Sequence, residues 1–173
     1  MNIFALEIWD NEASLCTFYT VRKDGAKNNE TDKFFIKYDA EPKFTDDAEV
    51  LNTFLLDSIG EQHGAIDDFF NRHENQVKGL PPTGKVRIEG ITYLFPDFSL
   101  RLYALKINEE IVILFNGGIK DEADNQHSSL HLNWVEACSF AKRIEEAFRD
   151  GIIIINHENR TITLEDGSDE IYL

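Results

Sequence analysis

Basic residues are scarce in this chain: 17 Lys and Arg stand against 32 Asp and Glu, leaving a net charge of −15 over 173 residues. Such a charge opposes nonspecific association with nucleic acid, because that binding draws most of its free energy from cations that displace phosphate counterions. Cysteine is scarcer still. Cys16 and Cys138 show no CxxC spacing and no companion cluster of metal ligands, so both read as small core residues rather than as a disulfide or a zinc site. The longest apolar runs, such as 111–115 and 152–155, fall far below the roughly 18 residues a membrane helix needs. The opening MNIFALEIWDNE carries neither a basic leader nor a small-residue cleavage site, so a cytoplasmic protein without membrane association is expected. No phosphate loop, GxGxxG, GxSxG or HExxH occurs, and neither a metal nor a cofactor is expected.

Present instead is an uneven charge pattern. Residues 1–71 sum to −9, residues 72–120 to +2 and residues 121–173 to −8, so the middle third alone is not acidic. Within it, LRLYALKINEEIVILFNGGIK (100–120) has two alternating apolar runs joined through Asn108-Glu109-Glu110, the pattern of a β-hairpin. Residues 85–95 predict a strand kinked at Gly90, which would complete a three-stranded antiparallel unit. Upstream, 2–9 and 14–22 predict a hairpin, 33–38 (KFFIKY) a third strand, and 71–84, with Pro81-Pro82, an irregular connection. A helix should start at a capping box formed by Asp46 and Glu49, bury Leu51, Phe54, Leu55 and Ile59, and stop near His63-Gly64. A second should be capped by Asn133, with Glu136 at the third position, and line one face with Trp134, Ala137, Cys138, Ala141, Ile144 and Phe148 before Gly151. Residues 152–155 and 161–164 predict a last hairpin, followed by a solvated acidic end. Together these elements predict one α+β domain over 1–173: an N-terminal β extension (1–44), a core (45–150) and a C-terminal β-hairpin (151–173).

Two groups of residues could carry chemistry. His127 and His131 stand four apart but precede the second helix, and read as loop histidines rather than as a metal site. The other group is cationic and aromatic: Arg72, His73, Lys78, Lys85, Arg87, Arg101, Tyr103 and Lys120. With Leu100-Arg101-Leu102-Tyr103 in one strand, 111–115 in the next and Lys120 before the last helix, the stretch 51–148 resembles the RelE/HigB-type toxins of the RelE/ParE superfamily. That resemblance implies a RelE-like core of antiparallel sheet and packed helices. It also implies metal-independent, ribosome-dependent cleavage of mRNA, with an antitoxin protein, the ribosome and mRNA as partners. Arg101 would stabilise the phosphate, Lys120 and Arg87 would assist, and Tyr103 or His73 would handle protons or stack on a base. Arg72, Lys78 and Lys85 would hold RNA. An inactive derivative would share the pattern. The acidity of the whole points elsewhere, to a non-catalytic interaction module whose carboxylates meet a basic partner, as a nucleic-acid mimic would.

Overall fold

A computed structural model describes residues 3–120 and 129–173. Its centre is a seven-stranded sheet in the order β11-β1-β2-β8-β7-β4-β3. The strands are β1 (Phe4–Asp10), β2 (Thr17–Lys23), β3 (Arg72–Glu74), β4 (Val77–Leu80), β7 (Leu100–Asn108), β8 (Ile111–Ile119) and β11 (Ile171–Tyr172). Every join is antiparallel except β2 with β8, which run parallel with Thr17 beside Ile111, so the sheet is mixed. Helices pack on both faces, and the fold is α+β.

Strand alternation sorts the apolar side chains into two cores. Leu100, Leu102 and Ala104 of β7 join Val112 and Leu114 of β8 under α1 (Glu30–Asp39), α2 (Thr45–Thr53) and the hairpin of β5 (Gly84–Ile88) with β6 (Ile91–Phe95). Tyr103 and Leu105 of β7 join Ile111, Ile113 and Phe115 of β8 under α3 (Ser129–Arg149) and the hairpin of β9 (Ile153–Asn156) with β10 (Thr161–Leu164). Each large side chain removed from water in this way contributes about 1.5–3 kcal/mol before entropy is counted.

Several elements depart from the sequence pattern. KFFIKY lies in α1, because Asn29 caps the helix by accepting from the Asp32 amide at 2.8 Å, and Phe34, Phe35 and Tyr38 then fall on one buried face. Thr31 anchors that helix to the sheet: its hydroxyl meets that of Thr20 at 2.7 Å and donates to the Phe115 carbonyl at 3.1 Å. The capping box at Asp46 does not form, since α2 begins at Thr45, whose hydroxyl donates back to the carbonyls of Asp39 and Glu41. Leu51, Phe54, Leu55 and Ile59 are buried as expected, but from Phe54 to His63 the helix widens to π geometry. Gly64, at φ +75, ends it by donating to the carbonyl of Ile59, five residues back. A 3-10 turn follows at Asp67–Phe69.

The expected irregular connection at 71–84 holds β3 and β4, turned at Asn75 in the left-handed conformation. The strand expected at 85–95 is a hairpin, because Glu89 and Gly90 both take positive φ, 51 and 82, and reverse the chain. It forms its own two-stranded sheet, and the further neighbour of β7 is β4. Helix α3 is already formed at Ser129, so His131 is helical and Asn133 is no cap; its amide donates to the Gly117 carbonyl at 2.7 Å. His127 lies outside the described residues. The C-terminal hairpin is as expected, but β11 follows the acidic segment and pairs with β1. No described helix is long and apolar enough to cross a membrane.

Candidate binding surfaces

The register of β3, β4 and β7 decides where each candidate cation goes. Arg72 pairs with Gly79 and Gly79 with Tyr103, which puts Arg72, Glu74, Arg101 and Tyr103 on the α3 face. His73 pairs with Lys78 and Lys78 with Ala104, which puts His73, Lys78 and Lys106 on the α1–α2 face. One sheet therefore divides the cationic set in two.

On the α3 face, Arg101 lays its stem over Gly79, whose missing side chain makes the room: a Cβ there would sit 3.1 Å from Arg101 Cδ. Arg101 Nη1 then donates to Glu74 at 3.0 Å, while its Nε has no partner among the described residues. Arg72 is 7% exposed, and all three of its guanidinium nitrogens lack a hydrogen-bond partner among the described residues. Burial and the like charge of Arg101 lower its pKa, partly offset by Asp97 and Glu74. Lys120 is tied to Asp97, whose carboxyl it holds below the usual range, with Arg72 and Arg101 adding to the effect. Tyr103 is buried, and burial pushes its phenol up to about 12, against the pull of Arg101, so it holds its proton throughout the neutral range. Arg101, Lys120 and Arg72 thus share one neighbourhood with two carboxylates. A small hollow of about 190 Å³ beside it is lined by Trp134, His131 and Tyr103.

Across the sheet, His73, Lys78, Lys85 and Arg87 line one open cleft of about 760 Å³, together with Lys106, which the sequence reading passed over. Lys106 bonds to Asp67 at 2.5 Å and lies 5.7 Å from the centre of the Phe70 ring; Lys78 contacts Nδ1 of His73. The signal for Lys106 was its two-residue offset from Ala104, legible only once β4 is paired with β7.

A third surface belongs to the acidic part of the chain. Trp9 and Phe35 stack with ring centroids 5.7 Å apart, and the Trp9 indole donates to Asp32 at 2.9 Å, which fixes its orientation. Beside them Asp39, Thr45, Glu49 and Asn52 complete a groove of about 270 Å³. Asp39 and Glu49 are exposed and have no ion-pair partner among the described residues. Aromatic rings beside free carboxylates suit an arginine or lysine side chain, which gains both a cation–π contact and a charge pair. Among the described residues no group of three or more His, Cys, Asp or Glu could hold a metal ion. Cys16 is buried, and burial pushes its thiol up to about 12; burial raises Cys138 as well, so neither is an activated nucleophile.

No protein-family model matches the chain, and no curated protein or solved structure matches it.

Proposed function

We propose that the protein is a non-catalytic binding module that takes a basic protein partner onto the acidic surface around α1 and α2. The observation that carries this reading is the contrast in pairing. Arg101 and Lys120, the central pair of the cleavage reading, each end on a carboxylate, and Arg87, their expected helper, lies across the sheet from Arg101. Phosphate cleavage asks for unpaired cations around one point, with a base positioned to act there. Asp39 and Glu49, by contrast, have no ion-pair partner among the described residues and stand beside a fixed indole. Charge of this density also speeds encounter with a cationic partner and lets salt weaken the complex.

The test is titration of the full chain with a fluorescent arginine-rich peptide and, separately, with a single-stranded RNA of equal length. Peptide binding that weakens as sodium chloride rises, and drops about tenfold or more in Asp39→Asn/Glu49→Gln, is the expected result. RNA cleavage lost in Arg101→Ala, or peptide binding indifferent to the double substitution, would overturn the proposal.

A further inference from the structure

The cleft on the α1–α2 side of β3 and β4 is unusual for its charge. Three successive strands, β3, β4 and β5, together with the later β7, bring His73, Lys78, Lys85, Arg87 and Lys106 to its walls. Four of the chain's 17 Lys and Arg therefore meet in one hollow, against Asp67 and Asp68, while the chain as a whole carries −15. Gathering like charges costs free energy, and the described structure gives little back. Lys106 has Asp67, at 2.5 Å, and Lys78 contacts the imidazole of His73 and shares the charge of the same Asp67. Lys85 and Arg87, both exposed, have no ion-pair or hydrogen-bond partner among the described residues. Alternation along β5 puts these two side chains on the same face of their hairpin, away from Val86 and Ile88, which are buried. No packing or pairing role accounts for them.

We infer that this cleft is a binding site for a small phosphorylated molecule, distinct from the acidic groove around Trp9. Phosphate oxygens would take the ammonium groups of Lys78 and Lys85 and the forked donors of Arg87. Phe70, Val86 and Ile107 give the cleft an apolar wall for the rest of the ligand. About 760 Å³ falls in the range of small-molecule sites. Length limits the ligand. A nucleic acid strand leaving the cleft would cross an otherwise acidic surface, whereas a ligand no larger than the cleft meets only its local excess of cations.

The experiment uses the full chain with pyrophosphate and ADP as probes and a twelve-nucleotide single strand as the competing class, followed by calorimetry and thermal unfolding. Lys85→Ala/Arg87→Ala is the diagnostic variant, since both side chains are exposed and without a partner among the described residues, and Lys120→Met is the control on the other face. Pyrophosphate or ADP should raise the unfolding temperature beyond sodium chloride of equal ionic strength, and affinity should fall at least tenfold in the double variant while staying within twofold in the control. No rise beyond the salt effect, an equal rise in wild type and double variant, or tighter binding of the oligonucleotide than of ADP would each overturn the inference. Arginine-peptide binding through Asp39 and Glu49 should be unchanged or strengthened in the double variant, so this site and the proposed function fail separately.

Discussion

Arg72 and His73 are consecutive in β3 and face opposite layers of the molecule, Arg72 turning to the α3 side and His73 to the cleft beside the β5–β6 hairpin. A single peptide unit thus separates a buried guanidinium, without a hydrogen-bond partner among the described residues, from an exposed imidazole that meets Lys78. The contrast yields the first prediction. Guanidinium cannot shed its proton, so Arg72 keeps its charge where water does not solvate it and Arg101 repels it. Arg72→Met should stabilise the fold by about 1–3 kcal/mol, a gain read from chemical denaturation. A loss of stability would show that the guanidinium is better accommodated than its neighbours indicate.

The ion pair between Arg101 and Glu74 is largely sheltered, with the two side chains 14% and 30% exposed. Glu74→Gln removes the negative charge that Arg101 pairs with and leaves two guanidiniums side by side. A loss of about 1–3 kcal/mol is expected, most of it recovered when Arg101→Met is added. A double-mutant cycle measures the coupling directly.

Two glycines beside Arg101 should respond very differently. A Cβ on Gly117 would collide with the Arg101 carbonyl and the Leu102 Cα, which are backbone and can move only with the strand. Gly117→Ala should therefore cost about 2–3 kcal/mol or prevent folding. At Gly79 the nearest atoms are the Arg101 Cδ and Cγ, at 3.1 and 3.2 Å, and a flexible side chain can give way. Gly79→Ala should cost less than half as much and shift the thermal midpoint correspondingly less.

The thiols supply a pH prediction. Burial raises Cys16 to about 12 from an ordinary value of 9.0, so above pH 9 the unfolded chain sheds a proton that the folded chain keeps. The unfolded state then binds fewer protons, and stability falls as pH rises from about 9 towards 12; below 9 this contribution is complete. Replacing Cys16 by Ala, with its cost in packing, should flatten that alkaline slope. In native protein at pH 8 Cys16 should not react with a thiol reagent, and it should react fully once unfolded.

Pattern and chemistry made some elements legible in advance and left others hidden. The β7–β8 hairpin and α3 carry long runs at one period, two residues for the strands and three to four for the helix, so their alternation survives any tertiary context. KFFIKY is too short to distinguish the periods; a cap at Asn29 and a seat against β8 decided it. Strands β3 and β4 escaped notice because Arg72-His73-Glu74 and Val77-Lys78-Gly79-Leu80 are short and interrupted by turn residues, and they gain strand structure by pairing with each other and, through β4, with β7. The site followed the same rule. That cations concentrate in the middle third was written in composition, but which of them meet depends on the register of β3, β4 and β7, which no local signal encodes. Trp9 and Phe35 come together from different elements, and their spacing in the chain gives no hint of it.

The parallel seam between β2 and β8 has a kinetic meaning. Thr17 pairs with Ile111 across the long stretch of chain between them, whereas the β1–β2 and β7–β8 hairpins each join strands that are neighbours in sequence. Each hairpin can close within microseconds, but their union spans most of the chain and must wait for a long loop to be drawn in. Folding should be limited by that junction, with both cores gaining protection from hydrogen exchange together and late, as the two halves of the sheet lock along one line.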